Sequence, residues 1–163
     1  MNELKKLLRG PPRLTLAVAE SLTCGQVQTR IGAEPGASDY FLGGVTAYNL
    51  EQKVKLLGVN RVHARRVNCV SQRVAVEMAA GACALFGADL AVATTGYAEP
   101  SPAAGVKTPQ AWWALCHRRG GGKTVIISGF LEMSGATRVE AQERVAEEAL
   151  EQLAAYLREI REL

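Results

Sequence analysis

The 163-residue sequence has little that would support a metal centre, a disulfide framework or a membrane span. It contains four cysteines and two histidines, and no CxxC spacing brings potential ligands together. No segment reaches the roughly 18–20 consecutive apolar residues that a membrane-spanning helix requires. We therefore expect reduced cysteines, no metal and no membrane association. The N-terminal residues do not resemble a targeting sequence, which favours a cytoplasmic location.

Aromatic residues and net charge are also scarce. Aromatics make up 6% of the chain, and the formal net charge is +3. Two short basic clusters, at residues 63–66 and 117–119, are not interleaved with aromatic side chains, as nucleic-acid-binding surfaces commonly are. The sequence therefore gives no indication of nucleic-acid binding. With 48% hydrophobic and 21% charged residues, it instead predicts one globular domain over residues 1–163.

Apolar segments alternate with turn-rich segments along the chain. They predict a short helix before Gly10, strands at 13–19, 44–48, 90–94, 110–117 and 123–131, and helices at 24–31, 50–57, 71–86 and from 136 to the C-terminus. The glycines at 120–122 indicate a hairpin between the last two strands. Strands that alternate with helices predict a layered α/β domain, and the hairpin makes part of its sheet antiparallel.

The first predicted strand is followed at once by a serine and a turn. Ser21 precedes the turn-forming residues Thr23, Cys24 and Gly25. At such a strand-to-helix junction, backbone N–H groups point outward and the helix dipole favours developing negative charge, which suits a nucleophile. Serine is also a preferred N-cap residue, so Ser21 could simply cap the next helix. The position of Ser21 leaves both interpretations open.

Sites in layered α/β domains collect beyond the carboxyl ends of the strands. Polar or small residues follow three predicted strands: Ser21, then Tyr48 with Lys53, then Thr95-Gly96. Lys53 would lie in the first turn of a helix, where the macrodipole disfavours a cation, so its pKa could be lowered enough for it to act as a base. Serine and a neutral lysine form a known nucleophile–base pair. The alternative is that Lys53 is an ordinary exposed helix lysine.

Several segments resemble the CinA C-terminal family in their order and spacing. They are residues 19–25 (family AESCTGG), 35–41 (GSSxxF), 44–59 (GFVTYSNxxKxxxLGV), 70–82 (VS…MAxGA) and 88–96 (AxxAVSxTGxAGP). The resemblance covers nearly the whole chain. It implies a three-layer α/β/α sandwich with a mixed, mostly parallel sheet, and association into a homo-oligomer.

The resemblance also implies an activity. Members of the family include nicotinamide mononucleotide amidases, which release nicotinate mononucleotide and ammonia without a metal or organic cofactor. By this resemblance Ser21 is the nucleophile and Lys53 the base, and Tyr48 orients the lysine or packs on the substrate ring. The implied partner is a small-molecule nucleotide, and the implied substrate-binding residues are Thr23, Gly25, Ser38, Thr95 and Gly96. Backbone N–H groups near Thr23 would stabilise the oxyanion.

The chain departs from the family pattern around the expected site. Cys24 replaces a glycine, Leu22 replaces a cysteine, and the loop at 97–110 has lost several glycines. Glu99 in this loop would repel a phosphate if it pointed inward.

A second departure concerns an arginine. The family has GDR where this chain has Gly135, Ala136 and Thr137. Arg138 follows and could substitute for the missing arginine, but a shift of one residue turns a helical side chain by about 100°. These departures leave a second interpretation open: a catalytically weak or inactive relative that binds a nucleotide or a partner protein.

Overall fold

The computed structural model describes residues 2–162, which form a five-stranded sheet with helices on both faces. The strands are β1 (Leu16–Glu20), β2 (Phe41–Thr46), β3 (Leu90–Tyr97), β4 (Gln110–Arg119) and β5 (Lys123–Glu132). The helices are α1 (Asn2–Arg9), α2 (Gln26–Gly32), α3 (Leu50–Leu57), α4 (Arg61–Arg66), α5 (Gln72–Phe86) and α6 (Arg138–Glu162). No helix within residues 2–162 combines the length and the hydrophobicity needed to cross a membrane.

The sheet has the strand order β2-β1-β3-β4-β5. Strand β1 lies in the middle of a parallel set, because it pairs in parallel with both β2 and β3. Strand β4 is antiparallel to β3 and β5, so it runs opposite to the other four strands of the sheet. The predicted mixed, mostly parallel sheet is therefore confirmed. The carboxyl ends of β1, β2 and β3 meet at one end of the sheet, and the polar residues that follow them are brought together there.

Two hydrophobic clusters, one on each face of the sheet, hold the helices against the sheet and so produce three layers. Leu16 and Val18 of β1 belong to a cluster shared with α1, α2 and α6, whereas Ala17 and Ala19 belong to a cluster shared with α3, α4 and α5. Strand β1 is buried on both faces, which accounts for its uninterrupted apolar sequence. The small alanines on the second face leave room for α5 to pack closely against the sheet.

Helix α3, which carries Lys53, is held against α5 at a glycine. A Cβ atom added at Gly81 of α5 would lie 2.1 Å from the backbone oxygen of Leu57, far inside any normal contact distance. The absence of a side chain at Gly81 therefore allows the end of α3 to pack directly on the backbone of α5. This contact fixes how α3 lies over the sheet.

Most predicted elements are present, but some boundaries move. Strand β2 begins three residues earlier than predicted and ends at Thr46, and β3 continues to Tyr97 because it pairs with β4 as far as Gln110. Helix α4 was not predicted. The predicted helices are confirmed within residues 2–162; Met1 and Leu163 lie outside the described residues.

The start of α6 also differs from the prediction. The helix begins at Arg138 and not at residue 136. The Thr137 N–H donates to the Glu140 carboxylate at 2.8 Å, and the Glu140 N–H donates to the Thr137 hydroxyl at 3.3 Å. This reciprocal pair is a capping box, which fixes the first turn of α6 at this point.

Replacing Gly81 by alanine tests the contact between α3 and α5. We expect Gly81→Ala to lower the free energy of unfolding by about 1–3 kcal/mol, because the added methyl group forces the two helices apart. Urea denaturation measures this change. Gly120→Ala is the matched control, since a Cβ there meets no atom within 4 Å. Equal denaturation midpoints for the two variants would contradict the proposed close packing.

Candidate active site

Ser21 lies immediately beyond β1 and is almost fully buried. Its Oγ is 2.8 Å from the Lys53 Nζ, so the two side chains form a hydrogen bond across 32 residues of sequence. The N-cap residue of helix α2 is Gly25, which has no side chain that could accept a capping hydrogen bond. The interpretation of Ser21 as a helix cap is therefore wrong, because its hydroxyl contacts Lys53 and no backbone N–H of α2.

The residue that caps α2 is Glu20. Its fully buried carboxylate accepts hydrogen bonds from the backbone N–H groups of Gly25 at 3.0 Å, Val27 at 3.1 Å and Gln28 at 2.9 Å. These are N–H groups that have no partner within the helix, and the negative charge also complements the helix dipole. Sequence reasoning missed this role because Glu20 lies outside the usual capping-box spacing.

Lys53 extends from the first turn of α3 into the interior, where its side chain is 1% exposed. Besides Ser21, its Nζ contacts the backbone oxygens of Ala47 at 2.8 Å and Tyr48 at 3.0 Å. Burial lowers the pKa of the Lys53 amine to about 8, and the nearby Cys69 thiol opposes this shift. A neutral amine satisfies all three contacts, since it donates its two N–H groups to the carbonyl oxygens and its lone pair accepts a hydrogen bond from the Ser21 hydroxyl.

The side chain and the backbone of Tyr48 contact different residues. The side chain is 52% exposed, and its hydroxyl accepts a hydrogen bond from Arg138 at 2.8 Å. Its backbone oxygen holds Lys53. Tyr48 therefore contacts the lysine through the main chain, while its ring lies at the opening of the site.

Ser21 and Lys53 open into a cavity of about 410 Å³. The cavity is lined by residues from four loops, the start of α3, the end of β3 and the first residue of α6: Ser21, Leu22, Tyr48, Asn49, Leu50, Lys53, Asn68, Cys69, Val70, Thr95, Gly96, Tyr97, Ala98, Glu99, Pro100, Ser101 and Arg138. Within residues 2–162, no three His, Cys, Asp or Glu side chains lie close enough together to bind a metal. The residues with reactive groups along the cavity are Ser21 with its hydroxyl, Lys53 with its amine and Cys69 with its thiol.

Two of the predicted substrate-binding residues, Thr95 and Gly96, line this cavity. The Thr95 hydroxyl donates to the backbone oxygen of Cys69 at 2.7 Å and so holds one wall in position. Gly96 is required by strand pairing, because a Cβ there would lie 2.4 Å from the backbone oxygen of Gln110.

The other three predicted substrate-binding residues do not line the cavity. The Thr23 side chain is fully buried and its hydroxyl is bonded to the Thr94 hydroxyl at 2.7 Å. The Gly25 N–H is occupied by Glu20. Ser38 precedes β2 and therefore lies at the opposite end of the sheet from Ser21, so its side chain cannot contribute to this cavity within one chain.

The turn after Ser21 nevertheless leaves hydrogen-bond donors free. Within residues 2–162, the backbone N–H groups of Leu22 and Thr23 have no hydrogen-bond partner. Cys24 adopts a left-handed conformation with φ of 48°, which explains why a glycine suits this position. The Cys24 side chain is exposed and does not line the cavity, so it leaves the site open.

Arg138 lines the cavity despite its shift in sequence. The shift of one residue therefore does not remove this side chain from the site, and Arg138 is the first residue of α6. Its guanidinium donates to Glu99 and to the Tyr48 hydroxyl, each at 2.8 Å. Sequence reasoning also missed Asn68 and Cys69, whose left-handed conformations, with φ of 49° and 62°, are not encoded in any recognisable motif.

The sequence matches the CinA C-terminal domain family over residues 2–157. The chain belongs to this family. A CinA-like protein of Chlorobium limicola is 38% identical over 148 residues, covering 90% of this chain and 34% of that protein. A CinA-like protein of Thermotoga neapolitana is 43% identical over 101 residues, covering 62% of this chain and 25% of that protein. The chain thus spans about a third or less of the length of these curated relatives.

Crystal structures of CinA proteins share the fold. A CinA superfamily protein from Enterobacter cloacae superimposes with a TM-score of 0.85 at 27% identity, covering 96% of this chain and 89% of that one. A competence or damage-inducible protein from Enterobacter asburiae gives a TM-score of 0.84 at 27% identity, covering 96% and 94%. The predicted CinA resemblance and the α/β fold are therefore confirmed.

Replacing Glu20 tests its role in holding the turn after Ser21. We expect Glu20→Ala to lower the free energy of unfolding by about 1–3 kcal/mol, because it leaves buried N–H groups at the start of α2 without acceptors. Thermal and urea denaturation measure this. Glu20→Gln keeps one acceptor oxygen and should fall between the wild type and Glu20→Ala. A wild-type denaturation curve for Glu20→Ala would rule out the capping role.

Proposed function

We propose that this CinA family member is an amidohydrolase with Ser21 as nucleophile and Lys53 as general base. The observation that carries the proposal is the 2.8 Å hydrogen bond between Ser21 Oγ and Lys53 Nζ at the base of a cavity. A serine hydroxyl is a weak nucleophile until a base removes its proton. An amine whose pKa lies near 8 is deprotonated often enough near neutral pH to serve as that base.

The proposed reaction begins with Lys53 neutral. Ser21 Oγ attacks the amide carbon while its proton passes to Lys53 Nζ. The resulting oxyanion accepts a hydrogen bond from the free N–H group of Leu22, which lines the cavity, and such a donor typically contributes about 2.7–4 kcal/mol. The Lys53 ammonium then protonates the leaving nitrogen, and ammonia departs.

An acyl-enzyme on Ser21 remains after this first half-reaction. A water molecule attacks its carbonyl carbon while Lys53, neutral again, accepts the proton. Collapse of the second tetrahedral intermediate returns the proton to Ser21 Oγ and releases the carboxylic acid. The backbone oxygens of Ala47 and Tyr48 keep Nζ in place through both steps, since they accept its other two hydrogen bonds.

Nicotinamide mononucleotide is the proposed substrate, with nicotinate mononucleotide and ammonia as products. The support is the family resemblance together with the dimensions of the site. A cavity of about 410 Å³ lies within the usual range for small-molecule ligands. The Tyr48 and Tyr97 side chains at the cavity wall offer surfaces for an aromatic ring, and the Arg138 guanidinium offers a contact for an anionic group. Association into a homo-oligomer stays a prediction from the resemblance.

Ammonia release from nicotinamide mononucleotide tests the proposal directly. We expect Ser21→Ala and Lys53→Met each to lower the rate by at least about 100-fold, because each removes a group that acts in the first step. Lys55→Met is the matched control, since Lys55 lies on the same helix but is exposed. No ammonia from folded wild-type protein would overturn the substrate assignment and favour a catalytically inactive nucleotide-binding relative.

The pH dependence of kcat/KM tests the role of Lys53. Only the neutral amine can accept the Ser21 proton, so activity should rise with pH and level off above about 8, the lowered pKa of Lys53. An exposed lysine would give a plateau only above its ordinary pKa of about 10.4. Initial rates measured between pH 6 and 10 distinguish these cases. A profile that falls as the amine loses its proton would contradict the proposed base.

A further inference from the structure

Glu99 and Arg138 form an ion pair at the wall of the active-site cavity. Their atoms Oε1 and Nη1 are 2.8 Å apart, and the second terminal nitrogen of Arg138 donates to the Tyr48 hydroxyl at the same distance. All three residues line the cavity that contains Ser21. The Glu99 carboxylate is thus paired with the Arg138 guanidinium, the cation that an anionic group of a substrate would otherwise contact.

The ionisable acidic and basic side chains that line the cavity are those of Lys53, Glu99 and Arg138. Their charges sum to zero in the state that the proposed reaction starts from. With Lys53 neutral, as the reaction requires, the negative charge of Glu99 balances the positive charge of Arg138. The cavity therefore presents no net positive charge to a phosphate while Glu99 is ionised. Without Glu99 it would present one unpaired guanidinium.

The backbone that carries Glu99 is constrained. Pro100 follows it and restricts the conformations open to the residue before a proline. Ser101 and Val106 then close the loop with two backbone hydrogen bonds, at 2.9 and 3.0 Å. Because the main chain that follows Glu99 is held in place, the Glu99 carboxylate leaves Arg138 most readily by rotation of the Glu99 side chain. Its side chain is 61% exposed, so solvent can receive the displaced carboxylate.

We propose that Glu99 is a specificity-determining residue that competes with the anionic group of a substrate for Arg138. An amide that carries a phosphate must displace the Glu99 carboxylate to contact the guanidinium, whereas an uncharged amide need not. Glu99 therefore lowers the affinity for phosphate-bearing ligands relative to uncharged ligands of the same shape. This inference rests on the proposed function, because it concerns substrate choice in the same cavity.

Two ligands that differ by one phosphate test the competition. Calorimetry in a Ser21→Ala background, which prevents turnover, gives dissociation constants for nicotinamide mononucleotide and nicotinamide riboside. We expect Glu99→Gln to tighten binding of the mononucleotide by about two- to fivefold, the range for an exposed charge pair, and to leave binding of the riboside the same. Adding Arg138→Gln should weaken mononucleotide binding and abolish the effect of Glu99→Gln.

A second ion pair in the chain supplies the control. Glu3 pairs with Arg158 at 2.7 Å, with side chains 57% and 49% exposed, close to the 61% and 44% of Glu99 and Arg138. Glu3→Gln makes the same change in net charge outside the cavity and should alter neither dissociation constant. An equal effect of the two substitutions would reduce the role of Glu99 to a general electrostatic one and overturn the proposal.

The remaining outcomes separate the two proposals. If both ligands bind but Glu99→Gln changes neither affinity, or changes both equally, Glu99 is not specificity-determining, while the proposed function stands. Binding of neither ligand to any variant would overturn the proposed substrate and, with it, the role of Glu99 toward a phosphate.

Discussion

The buried amine of Lys53 is the group on which the site depends. A buried amine is costly unless its hydrogen bonds are made, and here Ser21 Oγ and two backbone oxygens surround Nζ. The same burial that lowers its pKa makes the neutral amine available as a base. This arrangement requires α3 to lie close over the sheet, and the bare backbone of Gly81 permits that approach.

The adjacent polar residues Glu20 and Ser21, at the end of β1, direct their side chains toward opposite faces of the sheet. Side chains along a strand alternate between faces, so the direction of Leu16 and Val18 sends Glu20 toward α2, while Ser21 continues the direction of Ala17 and Ala19 toward α3. Glu20 then caps α2, and Ser21 meets Lys53. The turn is thereby fixed from both sides, and the N–H group of Leu22 stays free for the proposed oxyanion.

The wall formed by residues 97–110 and the start of α6 differs most from the family pattern. Glu99 in this loop pairs with Arg138 and does not point uncompensated into the cavity, so the sequence change alters the charge at the wall without closing the site. The proposed catalysis at Ser21 and the proposed choice of substrate at Glu99 thus depend on different elements. A family member can change the second while keeping the first.

The sequence by itself determined the layered α/β fold and most of its elements, and it singled out Ser21, Tyr48 and Lys53 as candidates after two of the strands, because hydrophobic periodicity and short motifs are local properties. That Ser21 and Lys53 meet was decided by the tertiary structure. The sequence could not place Ser38, which precedes β2 and so lies at the opposite end of the sheet. It named Arg138 but could not show that this side chain reaches the site, because that depends on where α6 begins. The lowered pKa of Lys53 and the pairing of Glu99 were decided by tertiary structure, because burial and long-range contacts depend on how the helices pack.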